Sequence, residues 1–403
     1  MNSLGKKIVV AFSIFVLAYV TTGFVLGRSS DDKAFRALTV YSEVLSHIQQ
    51  YYVDEPNMHQ VTSGSLHGLL ASLDPESSYL SPLEYADYKE KLGTKTKGEA
   101  GLALTRRGYI GVISVLPDSP GQKAGLRPGD ILEEIAGFTT DQMAIDQAQL
   151  LLTGDPGTVV KLSVIRRGKA EPQEMEITLA KLAAPRLVED KLQGDIAYLR
   201  VPALQAGMAK QIREKLTDLD HQGVRKLMLD LRGCALGDVS EGIAAAQLFI
   251  PSGTITTLKG QTVTSVPSMA DAAKVVWSHP VTVLIGDGTA GAAEVLAAAI
   301  ADNHRGDTVG DRSYGTASMQ KLINLEDGSA LILTVATYYT PGGKEIPQDG
   351  VAPTVEVRPT FDEIAALNQK NSPETGAQPP SMDDPVVKKA IDLLENPAAR
   401  KAA

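Results

Sequence analysis

The sequence predicts a multi-domain α/β protein with a helical N-terminal segment, a β-rich module carrying two helices, and an α/β core of parallel-type strands. Three observations carry this prediction. The 403 residues suffice for two or three compact domains, each with its own core. The apolar pattern changes twice, from helical spacing before about residue 95, to closely spaced β-rich runs over 96–183, to strands alternating with helices over 184–360. The composition is that of a globular protein, with 43% hydrophobic and 22% charged residues.

Charge and cysteine usage narrow the function classes. A net charge of −9 without any Lys/Arg cluster argues against a nucleic-acid surface. The single cysteine, Cys234, allows no intramolecular disulfide and leaves the compartment open. Six scattered histidines give no metal-ligand spacing, and no cofactor is implied.

At the N-terminus, Lys6-Lys7 precede an uncharged, mostly apolar stretch from Ile8 to Gly27 that Arg28 closes. At about 1.5 Å per residue, such a helix covers roughly the 30 Å hydrocarbon core of a bilayer. Residues 1–28 therefore read as a signal anchor, a single-pass transmembrane helix with the lysines in the cytoplasm and the bulk of the chain periplasmic. A cleaved signal peptide is the competing reading, but the run is long and no A-x-A-like site ends it.

Residues 29–95 form the helical segment. Phe35, Leu38, Tyr41, Val44, Leu45 and Ile48 fall at helical spacing, and a second helix over Val61 to Leu73 starts near Thr62 or Ser63. Asp74-Pro75 breaks it, and LDPESSYLSPLEYADYKEKL runs on into a third, short helix.

Residues 96–183 order as strand, turn and short helix, strand, helix, strand, strand. Gly125 and Pro128-Gly129 mark a tight turn, and Ile145, Ala148 and Leu152 one apolar helix face. AGLRPGDIL, between a strand and a helix, resembles the signature of a PDZ domain. That resemblance implies capture of chain ends by strand addition at Gly101, Leu102, Ala103 and Leu104, with Ile145, Ala148 and Leu152 as the facing wall. An ordinary hairpin entry is the alternative reading of GLAL.

Over 184–360, IAYLRV, KLMLDLRG, VTVLI and SALILTVATYYT read as strands, and the segments between them hold helices. The alternation implies a mostly parallel sheet covered on both faces. Residues 361–403 read as a disordered tail with one short helix over VVKKAIDLLEN. Within the core, GDGTAGAAEV joins a buried strand to a helix through a glycine turn, where hydrolases present a nucleophile beside free N–H groups. This turn holds neither serine nor cysteine.

YYVDE, LDPESSYLSP, the PDZ block, LMLDLRG, NHRGDTVGDRSYG, DGSALILTVATYYTPGGKEI and DDPVVKKAIDLL together resemble the carboxyl-terminal processing peptidases, or tail-specific proteases. The resemblance implies a ClpP/crotonase-like peptidase core. It also implies a serine nucleophile in a G-S-A-S-A turn, a lysine base in F-G-K-G twenty-five residues later, and a glutamine four positions after the lysine. In this sequence the nucleophile position is Gly291 and the base position Thr316, with the spacing kept, while Gln320 is retained. The family's D-L-R-N-N-P-G-G loop stands here as Asp230-Leu231-Arg232-Gly233-Cys234-Ala235-Leu236-Gly237. Leucine rarely tolerates the positive φ that glycine permits, so Leu236 predicts a reshaped loop. Ala292 and Gly237 remain as candidate oxyanion donors, because backbone N–H groups survive substitution.

Loss of nucleophile or base in a serine protease costs on the order of a millionfold in turnover. The turn therefore reads as a vacated site, and the chain as a pseudoprotease. Its expected partners are C-terminal tails of exported proteins or an active protease, and the resemblance further implies a homodimer. The alternative is an active endopeptidase using displaced groups. Thr289 and Ser318 read as hydroxyls bonding nearby backbone, Cys234 as a small buried hydrophobe, and Lys321 as a solvated strand residue. Glu294 reads as a helix-start acid favoured by the dipole, Asp311 as a turn residue, and Arg232 as an ion-pairing scaffold residue.

Overall fold

A computed structural model describes residues 31–93, 97–141, 143–169, 171–192, 195–347, 349–360 and 381–396. The chain divides into two units, residues 1–65 and 66–403. The first holds the helix Asp31–Tyr51, on which Phe35, Leu38 and Val44 are exposed. The expected anchor at 1–28 lies outside the described residues; among those described, no helix is long and apolar enough to cross a membrane.

The helix Met58–Ala71 runs across the boundary into the second unit. Asp74 then turns the chain, its carboxylate accepting from the N–H groups of Glu76 and Ser77 at 2.9 and 2.7 Å. Strand Ser78–Leu80 follows, and Ser81-Pro82-Leu83-Glu84 opens the helix Pro82–Gly93 as a capping box. The Ser81 N–H donates to Glu84 Oε2 at 2.7 Å, and the Glu84 N–H to Ser81 Oγ at 3.4 Å.

The PDZ-like module is an antiparallel sheet in the order Leu102–Arg107, Tyr109–Val115, Ile131–Ile135, Val159–Ile165, Gln173–Thr178. The helices Pro120–Lys123 and Ile145–Leu151 complete the pair expected. Inward-facing Leu104, Ile110, Leu132, Leu162, Val164 and Ile177 bury its core. The aspartate of the LRPGD turn fastens that turn to the sheet. Asp130, 2% exposed, accepts from the Arg127 N–H at 2.9 Å and pairs with Arg166 at 2.6 Å. The strand Leu102–Arg107 ends the sheet.

The core is built on a six-stranded sheet ordered Val188–Leu192, Ile196–Arg200, Lys226–Asp230, Val281–Ile285, Asp307–Gly310, Val355–Glu356. The first pairing is antiparallel and the rest are parallel. One face meets the helices Met208–His221, Val239–Ala246 and Ala292–Asp302.

Two expectations need correction. SALILTVATYYT does not join the parallel sheet. As Ala330–Tyr339 it organises a second, antiparallel sheet with Ser78–Leu80, Thr254–Lys259, Val266–Met269 and Ser318–Asn324. The helix expected within a loose tail, found as Pro385–Glu395, is part of the core. Its Val386, Val387, Ala390, Ile391, Leu393 and Leu394 bury the second face of the parallel sheet against Tyr198, Met228 and Leu284.

Candidate functional site

Hydrogen bonding within the sequence GDGT shapes the turn. Thr289 Oγ1 accepts from the Gly286 N–H at 3.1 Å and donates to Leu231 O at 3.0 Å, while the Ala290 N–H donates to Cys234 O at 3.0 Å. The turn is thereby fastened to the 230–237 loop. Gly291 follows at φ +59° and ψ −115°, a backbone that L-residues rarely adopt, and the helix Ala292–Asp302 begins at once. A positive-φ residue between strand and helix is the geometry of a nucleophile elbow, and glycine takes it without a Cβ penalty. A Cβ built at Gly291 would have Thr316 Oγ1 as its nearest neighbour, 3.9 Å away. Positions 291 and 316, separated by twenty-five residues, thus face each other, and they carry a glycine and a threonine.

Glu294 holds the two sides together. Its Oε1 accepts from Ser313 Oγ at 2.5 Å and the Gly315 N–H at 2.6 Å; its Oε2 accepts from the Gly291 N–H at 2.8 Å and the Thr316 N–H at 2.9 Å. The expected helix-start acid is thus also a staple between turn and facing loop. Burial raises its carboxyl above the usual range, against the pull of these four donors.

The loop containing Leu236 is not strained at that residue. Gly237 takes the positive φ, +135°, and a Cβ there would lie 2.1 Å from Leu204 O, whereas Leu236 is absent from the positive-φ residues described. The Leu236 carbonyl accepts from the Leu204 N–H at 2.8 Å, and its side chain packs against the cluster of Ala103, Ile113 and Ala290. Ala292, as the first helical residue, has no carbonyl within its own helix for its N–H.

Other candidates have structural employment. Cys234 is buried and its thiol is pushed up to about 12 by desolvation, the opposite of an activated thiolate. Ser318 Oγ donates to Thr316 O at 3.2 Å and accepts from Gln320 Nε2 at 2.8 Å. Gln320 also reaches Thr334 Oγ1 at 3.4 Å, and that hydroxyl donates to Asp74 Oδ1 at 3.1 Å, so the retained glutamine points towards the LDPESS turn. Lys321 is exposed. Arg232 pairs with Asp230 at 2.8 Å and Asp384 at 2.5 Å, and Asp311 with Arg358 at 3.2 Å.

One group escaped the sequence reading. Glu76, in the LDPESS turn, has its carboxyl raised to about 7 by burial and by Asp74, partly offset by Arg106. Arg106 is 8% exposed and donates to Asp74 O at 2.7 Å.

The residues expected to bind peptide divide. Leu102, Leu104, Ala148 and Leu152 lie in the module's core with Ile145 packed at its margin, and Gly101 O accepts from the Leu116 N–H at 2.9 Å. Ala103 instead faces outward onto Ala290 of the turn.

A family model described as peptidase family S41 matches residues 195–357, and one described as a PDZ domain matches residues 111–166. The chain is 31% identical over 320 residues to a carboxyl-terminal-processing protease of Synechocystis sp., covering 76% of this chain and 73% of that one. It is 28% identical over 360 residues to a carboxy-terminal-processing protease of Bartonella bacilliformis, covering 87% and 81% respectively. Among solved structures, a photosystem II D1 C-terminal processing protease shares the fold with a TM-score of 0.66 at 23% identity, covering 83% of this chain and 98% of that one.

Proposed function

Because the chain belongs to the carboxyl-terminal processing peptidases, with an S41 core and a PDZ domain, we propose that it is a member without peptidase activity, a membrane-anchored, exported protein that binds the C-terminal tails of other exported chains or an active protease partner. The observation that carries this reading is the facing pair Gly291 and Thr316, a nucleophile elbow without a nucleophile opposite a base position without a base. Activation of a serine hydroxyl needs a neighbouring base, and neither group is present. Thr289, Ser318 and Cys234 are bound up in backbone contacts or buried, which supports vacancy over displacement. The end strand Leu102–Arg107 offers an edge on which an extended tail adds.

The test incubates the full chain with an unstructured protein ending in small apolar residues and follows products by mass spectrometry. A parallel sample carries Gly291→Ser with Thr316→Lys. The expected result is silence from the native protein and cutting by the double variant. Steady cutting by the native protein overturns the reading and sends the search to displaced groups, Cys234 first. The anchor rests on Lys6-Lys7 and the apolar stretch to Gly27, and recovery of the chain in the soluble fraction after lysis would sink it.

A further inference from the structure

The turn that leads into the strand Ser78–Leu80 leaves two hydrogen-bonding groups over. Asp74 is fully employed: Oδ1 accepts from the Glu76 and Ser77 N–H groups and from Thr334 Oγ1 at 3.1 Å, and Oδ2 accepts from Ser77 Oγ at 2.8 Å. Arg106, on the strand Leu102–Arg107, donates from Nη2 to the carbonyls of Ala71 and Asp74, at 3.4 and 2.7 Å. Its side chain is 8% exposed, and its buried Nε has no partner among the described residues. The half-buried Glu76 carboxyl finds only its own backbone N–H among them. Buried polar groups are nearly always matched, so an orphan donor beside a spare acceptor needs an explanation.

Neighbouring groups locate this pair. The charges that act on the Glu76 carboxyl are Asp74 on its own turn, Arg106 on the strand and Glu294 on the helix Ala292–Asp302. From Asp74 the hydrogen bonds continue through Thr334 and Gln320 to Ser318, next but one to Thr316. Glu76 and Arg106 therefore border positions 291 and 316.

We propose that Glu76 and Arg106 form a subsite for a side-chain carboxamide, that of an Asn or Gln residue in a chain drawn past positions 291 and 316. A primary amide is the complement of the two groups left over: its oxygen accepts from Arg106 Nε, and its NH2 donates to the Glu76 carboxylate. An alkyl side chain would leave both groups unmatched. A carboxylate would meet the guanidinium but confront Glu76, and an ammonium would do the reverse. The subsite names a side chain for the binding function proposed above and rests on it.

Calorimetric titration of the full chain with blocked pentapeptides tests it, using acetyl-Ala-Ala-X-Ala-Ala N-methylamide with X as Gln, Met or Glu. The titrations run at pH 8, where Glu76, held up to about 7 by burial and Asp74, is ionised. The expected result is that the Gln peptide binds at least about tenfold tighter than the Met and Glu peptides, and that Glu76→Met erases this preference. Arg106→Lys keeps the charge and removes Nε, and should erase it too; if that variant fails to fold, Glu76→Met decides. Equal binding of the Gln and Met peptides overturns the subsite, as does a preference that survives Glu76→Met or an absence of binding up to about 1 mM. Tighter binding of the Glu peptide assigns the site to acids and overturns the amide. The probes carry no free carboxylate for the PDZ loop. The Gln peptide with a free C-terminus, titrated separately, scores tail binding, so failure of that function and failure of the subsite are told apart.

Discussion

At the scale of single residues, one buried carboxylate holds the strand-to-helix turn to the loop that faces it. Glu294 binds the two through four donors, and Gly291 adopts a positive-φ backbone that glycine takes readily. Glu76 gives this neighbourhood a measurable pH dependence. Its carboxyl titrates at about 7 in the folded protein against an ordinary 4.5, because burial and Asp74 oppose its charge more than Arg106 favours it. A raised carboxyl binds its proton more tightly in the folded state. Its contribution to stability is therefore fully present below pH 4.5 and is lost as pH rises towards 7. Glu76→Gln, which mimics the protonated form, should be more stable than the parent at pH 8 by on the order of 1–3 kcal/mol, and nearly equal to it at pH 5. Urea unfolding at the two pH values decides, and an advantage of the same size at both would refute the assignment to Glu76.

At the scale of elements, local pattern accounts for the parallel sheet, and long-range pairing accounts for what the pattern did not show. VTVLI and KLMLD are buried on both faces and read directly as strands of a covered sheet. The antiparallel sheet was hidden because its partners are far apart: Ser78 pairs with Ile332, and Thr257 with Tyr339. Glu294 is the helix-start acid expected, but its bonds to the facing loop were hidden for the same reason, those partners lying about twenty residues further on. The resemblance paired 291 with 316 by a spacing of twenty-five residues, and the two positions do lie close together. The final helix was visible but misplaced, since a polar, proline-containing stretch separates it from the core. Asp384 shows why it belongs there: it caps the helix at the Val386 N–H, 2.9 Å away, and meets Arg232 Nη1 at 2.5 Å. Asp384→Ala removes a cap and one partner of a partly buried guanidinium together, so it should cost about 1–3 kcal/mol in urea unfolding. A loss below about 1 kcal/mol would mean that the helix docks by its apolar face alone.

At the scale of the second unit, the PDZ domain is gripped from two directions. Ala290 and Tyr314 of the core hold one face of its end strand at Ala103 and Thr105, while the lead-in holds its longer helix. Ser78 Oγ donates to Asp146 Oδ2 at 2.6 Å, Lys91 Nζ to Leu150 O at 2.5 Å, and Gln147 Nε2 to Glu84 Oε1. Glu84 is itself held down to about 2, where bonds from His67, Ser81 and Gln147 outweigh its burial. A domain tied at both ends shares its unfolding with what it is tied to, because neither partner can open without the other losing contacts. The native protein should therefore show one calorimetric transition spanning PDZ domain and core. Gln147→Ala with Tyr314→Phe cuts one tie on each side, and should split that transition so that the PDZ domain melts first. Two separate transitions in the native protein would show that the ties are too weak to couple the domains. A single undivided transition in the variant would show that the remaining contacts, Arg106 on the Asp74 carbonyl and Leu236 against Ala103, suffice to keep the two parts together.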